Sequence, residues 1–84
     1  MKTNILKYNV IIKKEGKEYI SFVPTLGISD FGKNIEEARR NTKEAIECHI
    51  EGLVETGEEI PLSDKQDFII SQIETTFPKL KFAF

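Results

Sequence analysis

The stretch from Asn34 to Gly57 has the marks of one long amphipathic helix, and in a chain of 84 residues a single such helix dictates most of the architecture. Asn34 stands three residues before Glu37, the spacing of an N-cap with a reciprocal acidic partner, and Gly57 sits where a left-handed C-terminal cap belongs. Between these caps Ile35, Ala38, Thr42, Ala45, Ile46, His49 and Leu53 fall along one stripe, whereas Glu36, Glu37, Arg40, Lys43, Glu44, Glu47, Glu51 and Glu55 fall opposite. A helix with one apolar stripe must lay it on another layer, and the small residues Ala38, Thr42 and Ala45 let the two layers approach closely.

The residues before the helix supply that layer. In "ILKYNVIIK", Ile5 to Lys13, alternation puts Leu6, Tyr8, Val10 and Ile12 on one side and Ile11 on the other, as in a half-buried strand. Gly16 in "KKEGKE" suits a hairpin turn, after which "EYISFV" sets Ile20 and Phe22 against Tyr19, Ser21 and Val23. Pro24 lacks an N–H and closes this second strand, and "ISDF" is long enough for one short third strand. Gly27 and Gly32 flank it, and both are expected to use positive φ to turn the chain into and out of the third strand. Beyond Pro61, Ser63 resembles a helix N-cap but precedes a β-branched run, which leaves helix and strand both open over 63–76. The final "KLKFAF" alternates Leu80, Phe82 and Phe84 against Lys79, Lys81 and Ala83, as a last strand would. The predicted fold is therefore α+β: one domain over 1–84, two layers, an antiparallel sheet with one long helix on one face, in the order β-β-β-α-β.

A core this small benefits from self-association, and Ile11, Tyr19 and Val23, expected on the sheet face away from the helix, are candidate interface residues. The net charge of -2 exerts no general pull on nucleic acid. A single cysteine, Cys48, excludes an internal disulfide and suits a reducing compartment; with no membrane-length apolar run and no secretion signal, the expectation is a cytoplasmic protein without a membrane partner. His49, the only histidine, lies in the apolar stripe without a second ligand and reads as a structural residue. Cys48 has acidic neighbours, unlike a reactive thiol. Asp30 lacks the converging carboxylates that two-metal chemistry requires, and neither a phosphate-cradling loop nor a nucleophile motif is present. No catalytic residue, cofactor or metal site is expected, so the chain is read as a protein-binding module rather than an enzyme.

The order of elements and "VPTLGISDFGKNIEEARRNTKEAIECHIEGL" resemble the HicB family of antitoxins from bacterial and archaeal toxin–antitoxin pairs. The residues that carry the likeness are Tyr8, Val10 and Ile12 in the first strand, the hairpin Gly16, Tyr19 opening the second, and Pro24, Leu26 and Gly32. They continue through the Glu36-Glu37-Ala38 helix start, Asn41, Glu44 and Ala45, and finally Glu51 to Leu53. Where many relatives read Leu-Pro-Gly-Cys this chain has Leu26, Gly27 and Ile28, and Asn34 replaces the more usual threonine cap. The resemblance implies a partial RNase H-like domain without its nuclease carboxylates. It also implies a partner, a small HicA-type mRNA-cleaving toxin, which Glu44, Glu47 and Glu51 would meet by charge complementarity. A homo-oligomer is expected alongside. Longer relatives append a DNA-binding domain; the chain ends before one would begin, so no specific DNA binding is expected. The alternative is a stand-alone, self-associating adaptor of the same fold.

Overall fold

The computed structural model describes residues 3–66 and 69–83. In chain order it forms β1 (Ile11–Glu15), β2 (Glu18–Val23), β3 (Ile28–Gly32) and α1 (Ile35–Thr56). The strands make one antiparallel sheet ordered β1-β2-β3, with α1 across one face, which is the expected two-layer α+β arrangement.

Glu15 pairs with Glu18, so only Gly16 and Lys17 turn the first hairpin, and Gly16 does so with φ 63. β1 begins at Ile11 rather than Ile5. The tight turn fixes the register and Pro24 ends the ladder on β2, so the residues before Val10 have no part of β2 opposite them. At the second turn the Val23 carbonyl accepts hydrogen bonds from the Leu26 (3.2 Å) and Gly27 (2.8 Å) amides, and Gly27 adopts φ 67 as expected.

The register places Ile12 opposite Ser21, and on the far side Tyr19, Ser21 and Val23 opposite Gly32, Asp30 and Ile28. These residues share the face under α1, where Ser21 and Val23 are 0% exposed. Tyr19 and Val23 therefore lie inside, contrary to the outward orientation expected for them; only Ile11 stays outside, opposite Phe22. The reason is the closeness of the helix. The Ser21 hydroxyl is hydrogen-bonded to that of Thr42, and Thr42 in turn donates to the Ala38 carbonyl (2.6 Å). Phe22 in that position would hold the helix away. The outer face carries Ile11, Ile20, Phe22 and Phe31.

Both caps of α1 form, with one difference at the start: Asn34 accepts the Glu37 amide at 2.7 Å as expected, but the Glu37 carboxylate accepts the Lys33 amide, at 3.3 Å, in place of the Asn34 amide. At the other end Gly57, at φ 72, bonds Val54 (3.2 Å) while the Glu58 amide bonds Leu53 (2.9 Å), which is a Schellman motif. Ala38 and Thr42 are buried and Ala45, Ile46, His49 and Leu53 half-buried, but Ile35 at the head of the stripe is exposed. Gly32 does not use positive φ. It is glycine because the first turn of α1 lies directly on it. Asn41 ties the same junction by donating to the Phe31 carbonyl at 2.8 Å.

Over 63–76 the described residues form neither helix nor strand, and none of the described residues 79–83 is in a strand; Asp67, Phe68 and Phe84 lie outside the described residues. The alternation of "KLKFAF" finds no sheet edge beside it, and a strand exists only against a hydrogen-bonded neighbour.

Candidate functional site

Two features of the surface follow from this packing. The first is the solvent face of α1. Glu44, Glu47 and Glu51 stand at i, i+3 and i+7, hence on one side of the helix, and all three are exposed. Glu55 extends the row. Among the described residues the only ion pair is Lys13–Glu15 at 3.8 Å, so none of these carboxylates has a cation partner among them. Glu36 and Arg40, although correctly spaced, do not pair either, since two exposed side chains gain little from being held together.

The second feature joins distant parts of the chain. Residues 61–66, after the helix, run alongside residues 7–9 in the same direction. The Asp64 amide donates to the Lys7 carbonyl (2.8 Å), and the Lys7 amide to the Ser63 hydroxyl (3.0 Å). The Asn9 side chain donates to the Gln66 carbonyl (3.1 Å) and the Tyr8 hydroxyl to the Pro61 carbonyl (2.6 Å). The Asp64 carboxylate is the centre of this tie. One oxygen accepts the Asn9 amide at 2.7 Å, and the other accepts the Thr25 hydroxyl, from the loop after Pro24, at 2.6 Å. The Thr25 hydroxyl and the Asn9 amide hold the Asp64 carboxyl below its ordinary pKa, against a smaller opposing effect of burial. Partial burial, and then the Asp64 charge, push the Tyr8 phenol up.

The sign of the Asp64 shift gives a pH dependence. A carboxyl whose folded pKa is lowered stabilises the fold above its unfolded pKa, and that contribution is lost as pH falls through the folded value. Acidification below about pH 4 is therefore expected to loosen the tie. Asp64→Asn should remove most of this acid sensitivity and speed amide exchange at Asn9 at neutral pH, with the β2–β3 ladder still protected. Equal protection of Asn9 in both proteins would refute the role of the carboxylate.

The Asp30 carboxylate accepts the Phe31 amide at 2.8 Å. His49 is half-buried in the stripe, and Cys48 is exposed. Among the described residues no group of three or more His, Cys, Asp or Glu is placed to hold a metal ion, and no helix is long and apolar enough to cross a membrane. Of the candidate interface residues, Glu44, Glu47 and Glu51 form one surface; Ile11 is on the outer sheet face, away from Tyr19 and Val23. The Asp64 tie was missed by sequence reasoning. Ser63 resembles a helix N-cap ahead of a run that could be helix or strand, and nothing local discloses a partner for Asp64 more than fifty residues away.

A family model described as the HicB-like antitoxin of bacterial toxin–antitoxin systems matches residues 8–77, a span that includes the hairpin, the Pro24 loop, α1 and the Asp64 tie. A UPF0150 protein of Helicobacter pylori is 40% identical over 70 residues, covering 82% of this chain and 94% of the relative. One from Thermotoga maritima is 35% identical over 74 residues, covering 87% and 89%. An uncharacterized 14.9 kDa protein of the rep-hol intergenic region of Haemophilus phage HP1 is 40% identical over 68 residues, 80% of this chain and 51% of the phage protein, so the chain spans about half of it. No solved structure matches significantly. A match through every element of the fold, shared with relatives covered nearly end to end, places the chain in a family: it belongs to the HicB-like antitoxins of bacterial toxin–antitoxin systems.

Proposed function

We propose that this chain neutralises a small, basic, RNA-cleaving toxin of the HicA type by binding it directly and occluding its catalytic and RNA-contacting surface, without chemistry of its own. The family supplies the toxin partner in general terms. The observation that carries the reading is the row Glu44, Glu47 and Glu51, exposed on α1 with no cation partner among the described residues. A basic protein that must grip RNA meets such a row with complementary charge, which speeds encounter and selects the partner. The test is purification with the basic product of the adjoining reading frame. Addition of this chain should stop RNA cleavage by that product, with an association rate that falls as salt rises. Undiminished cleavage at saturating chain would refute the reading.

The acidic helix also argues against operator binding, which requires Lys and Arg gathered on a groove-reading element. In a gel shift with the upstream region at near-physiological salt, no competitor-resistant complex is expected at nanomolar protein.

The relation to a partial RNase H-like β-β-β-α-β domain is part of the same proposal. Residues 61–66 run parallel to residues 7–9, just ahead of β1, which is where a last strand would join. One observation favours the alternative, a self-associating adaptor without a toxin: the outer sheet face exposes Phe22 and Phe31 beside Ile11. The absence of any basic, toxin-sized frame next to the gene would favour it.

A further inference from the structure

In an antiparallel ladder each residue turns both its amide and its carbonyl to one side, and neighbours along the strand turn to opposite sides. The two-residue turn bonds Glu15 to Glu18, so Glu18, Ile20 and Phe22 of β2 face β1, while Tyr19, Ser21 and Val23 face β3. Their partners Gly32, Asp30 and Ile28 turn back toward β2. That leaves Ser29 and Phe31 on the free edge of β3, and Ile12 and Lys14 on the free edge of β1.

The two edges differ. At Phe31 both edge groups are taken by side chains: the amide donates to the Asp30 carboxylate at 2.8 Å, and the carbonyl accepts the Asn41 side-chain amide at 2.8 Å. Both caps come from the helix side of the sheet. Asp30 shares the inner face with Ser21, and Asn41 reaches over from the second turn of α1, which lies chiefly over β3. On β1 no side chain among the described residues caps Ile12 or Lys14. α1 leaves that side uncovered, and a groove of about 900 Å³ opens there, with Val10 and Ile12 on the sheet side and Ile46 and Ile50 on the helix side. A sheet with both edges open would be complementary to itself. β3 of one copy would pair with β1 of the next, and the helix above β3 would enter the neighbour's vacant groove. Such a contact joins unlike surfaces, so it repeats from copy to copy as a ring or a filament. Phe31, 56% exposed, adds apolar surface at that edge.

We propose that Asn41 and Asp30 cap the β3 edge and thereby block this head-to-tail pairing, so that the three-stranded sheet can be extended at β1 alone. The cap works by occupation. A strand laid along β3 must displace both side chains to reach Phe31, and the bonds it gains there only replace bonds already made. The amide and carbonyl of Ser29 are then all that β3 offers, and one residue's pair of bonds does not offset the cost of joining two chains. Asn41, which the toxin-binding surface does not use, thus acquires a role of its own. The inference does not rest on the toxin reading and is measured without any toxin.

The test compares the full native chain with the double variant Asn41→Leu, Asp30→Ala. Leucine is close to asparagine in size and a stronger helix former, so α1 should persist by far-ultraviolet circular dichroism. At about 100 μM, a concentration that populates weak contacts, the sedimentation-average mass of the double variant should exceed the native chain's by at least about twofold and keep rising with concentration. Exchange of the Ser29 amide should slow in step. Adding Ser29→Pro should return the mass to the native value, because proline removes an edge amide that no ladder bond uses. A folded double variant with the native mass would overturn the proposal, as would growth that Ser29→Pro leaves in place, which would assign association to another surface. The native chain gives a reading that needs no substitution. At low concentration its Phe31 amide should exchange at least about tenfold more slowly than its Ser29 amide, each relative to its unfolded rate. Equal protection of the two would show that the cap is not made.

Discussion

Replacement of Gly32 by alanine is expected to destabilise the domain by about 3 kcal/mol or more, near the upper end of what overpacking costs. A Cβ at Gly32 would stand 2.8 Å from the Glu37 carbonyl carbon and 2.9 Å from Ala38 Cα, with the Ala38 nitrogen closer still. All three are backbone atoms of the first helical turn, so no side chain can swing aside, and β3 and α1 would have to separate. A chain of this length has about 4–12 kcal/mol of stability in total. Thermal unfolding should accordingly fall by more than about 12 °C, or a folded state should be lost altogether. Gly52→Ala is the internal control. Gly52 lies in α1 with open space around its Cα and no positive φ, so there the same change should stabilise by about 0.5–1 kcal/mol. Similar melting of Gly32→Ala and the native chain would show that the layers do not meet at Gly32.

Reversal of Glu44, Glu47 and Glu51 together to lysine is expected to weaken toxin binding at least about a hundredfold, chiefly through slower association. Each substitution removes an attraction and adds a repulsion against a basic partner, and the three act along one helix face. Folding should be unaffected, because all three side chains are exposed and lack partners among the described residues. Isothermal titration at two salt concentrations reads the effect; equal affinity for native and triply reversed chains would move the toxin contact elsewhere.

The helix was legible in the sequence because its determinants are local. Asn34, Glu37 and Gly57 act within one turn of themselves, and the stripe repeats every three to four residues. The hairpin at Gly16 and the third strand after Gly27 were legible for the same reason. What alternation leaves open is which of two faces meets the helix. Alternation placed Tyr19 and Val23 outside with Ile11, whereas the structure buries Ser21 and Val23 and lets Phe22 face out. The helix's small residues Ala38 and Thr42 decide that choice, across more than fifteen positions of sequence. The acidic row could be read from spacing alone. The Asp64 tie could not, since its partners Asn9 and Thr25 are remote in sequence and chemically ordinary.

The hydroxyl pair between Ser21 and Thr42 has a consequence for how the chain avoids misassembly. Strand pairing that slips by one residue exchanges the two faces of a sheet. In β2 such a slip would bring Phe22 or Ile20 beneath Thr42, strand the threonine hydroxyl against hydrocarbon and wedge the layers apart at Gly32. The correct pairing is the one in which a small hydroxyl meets another and the helix can settle on glycine. The interior thus works as a key with two cuts, one polar and one empty. It rejects near-miss pairings that a uniformly greasy interior of the same size would accept.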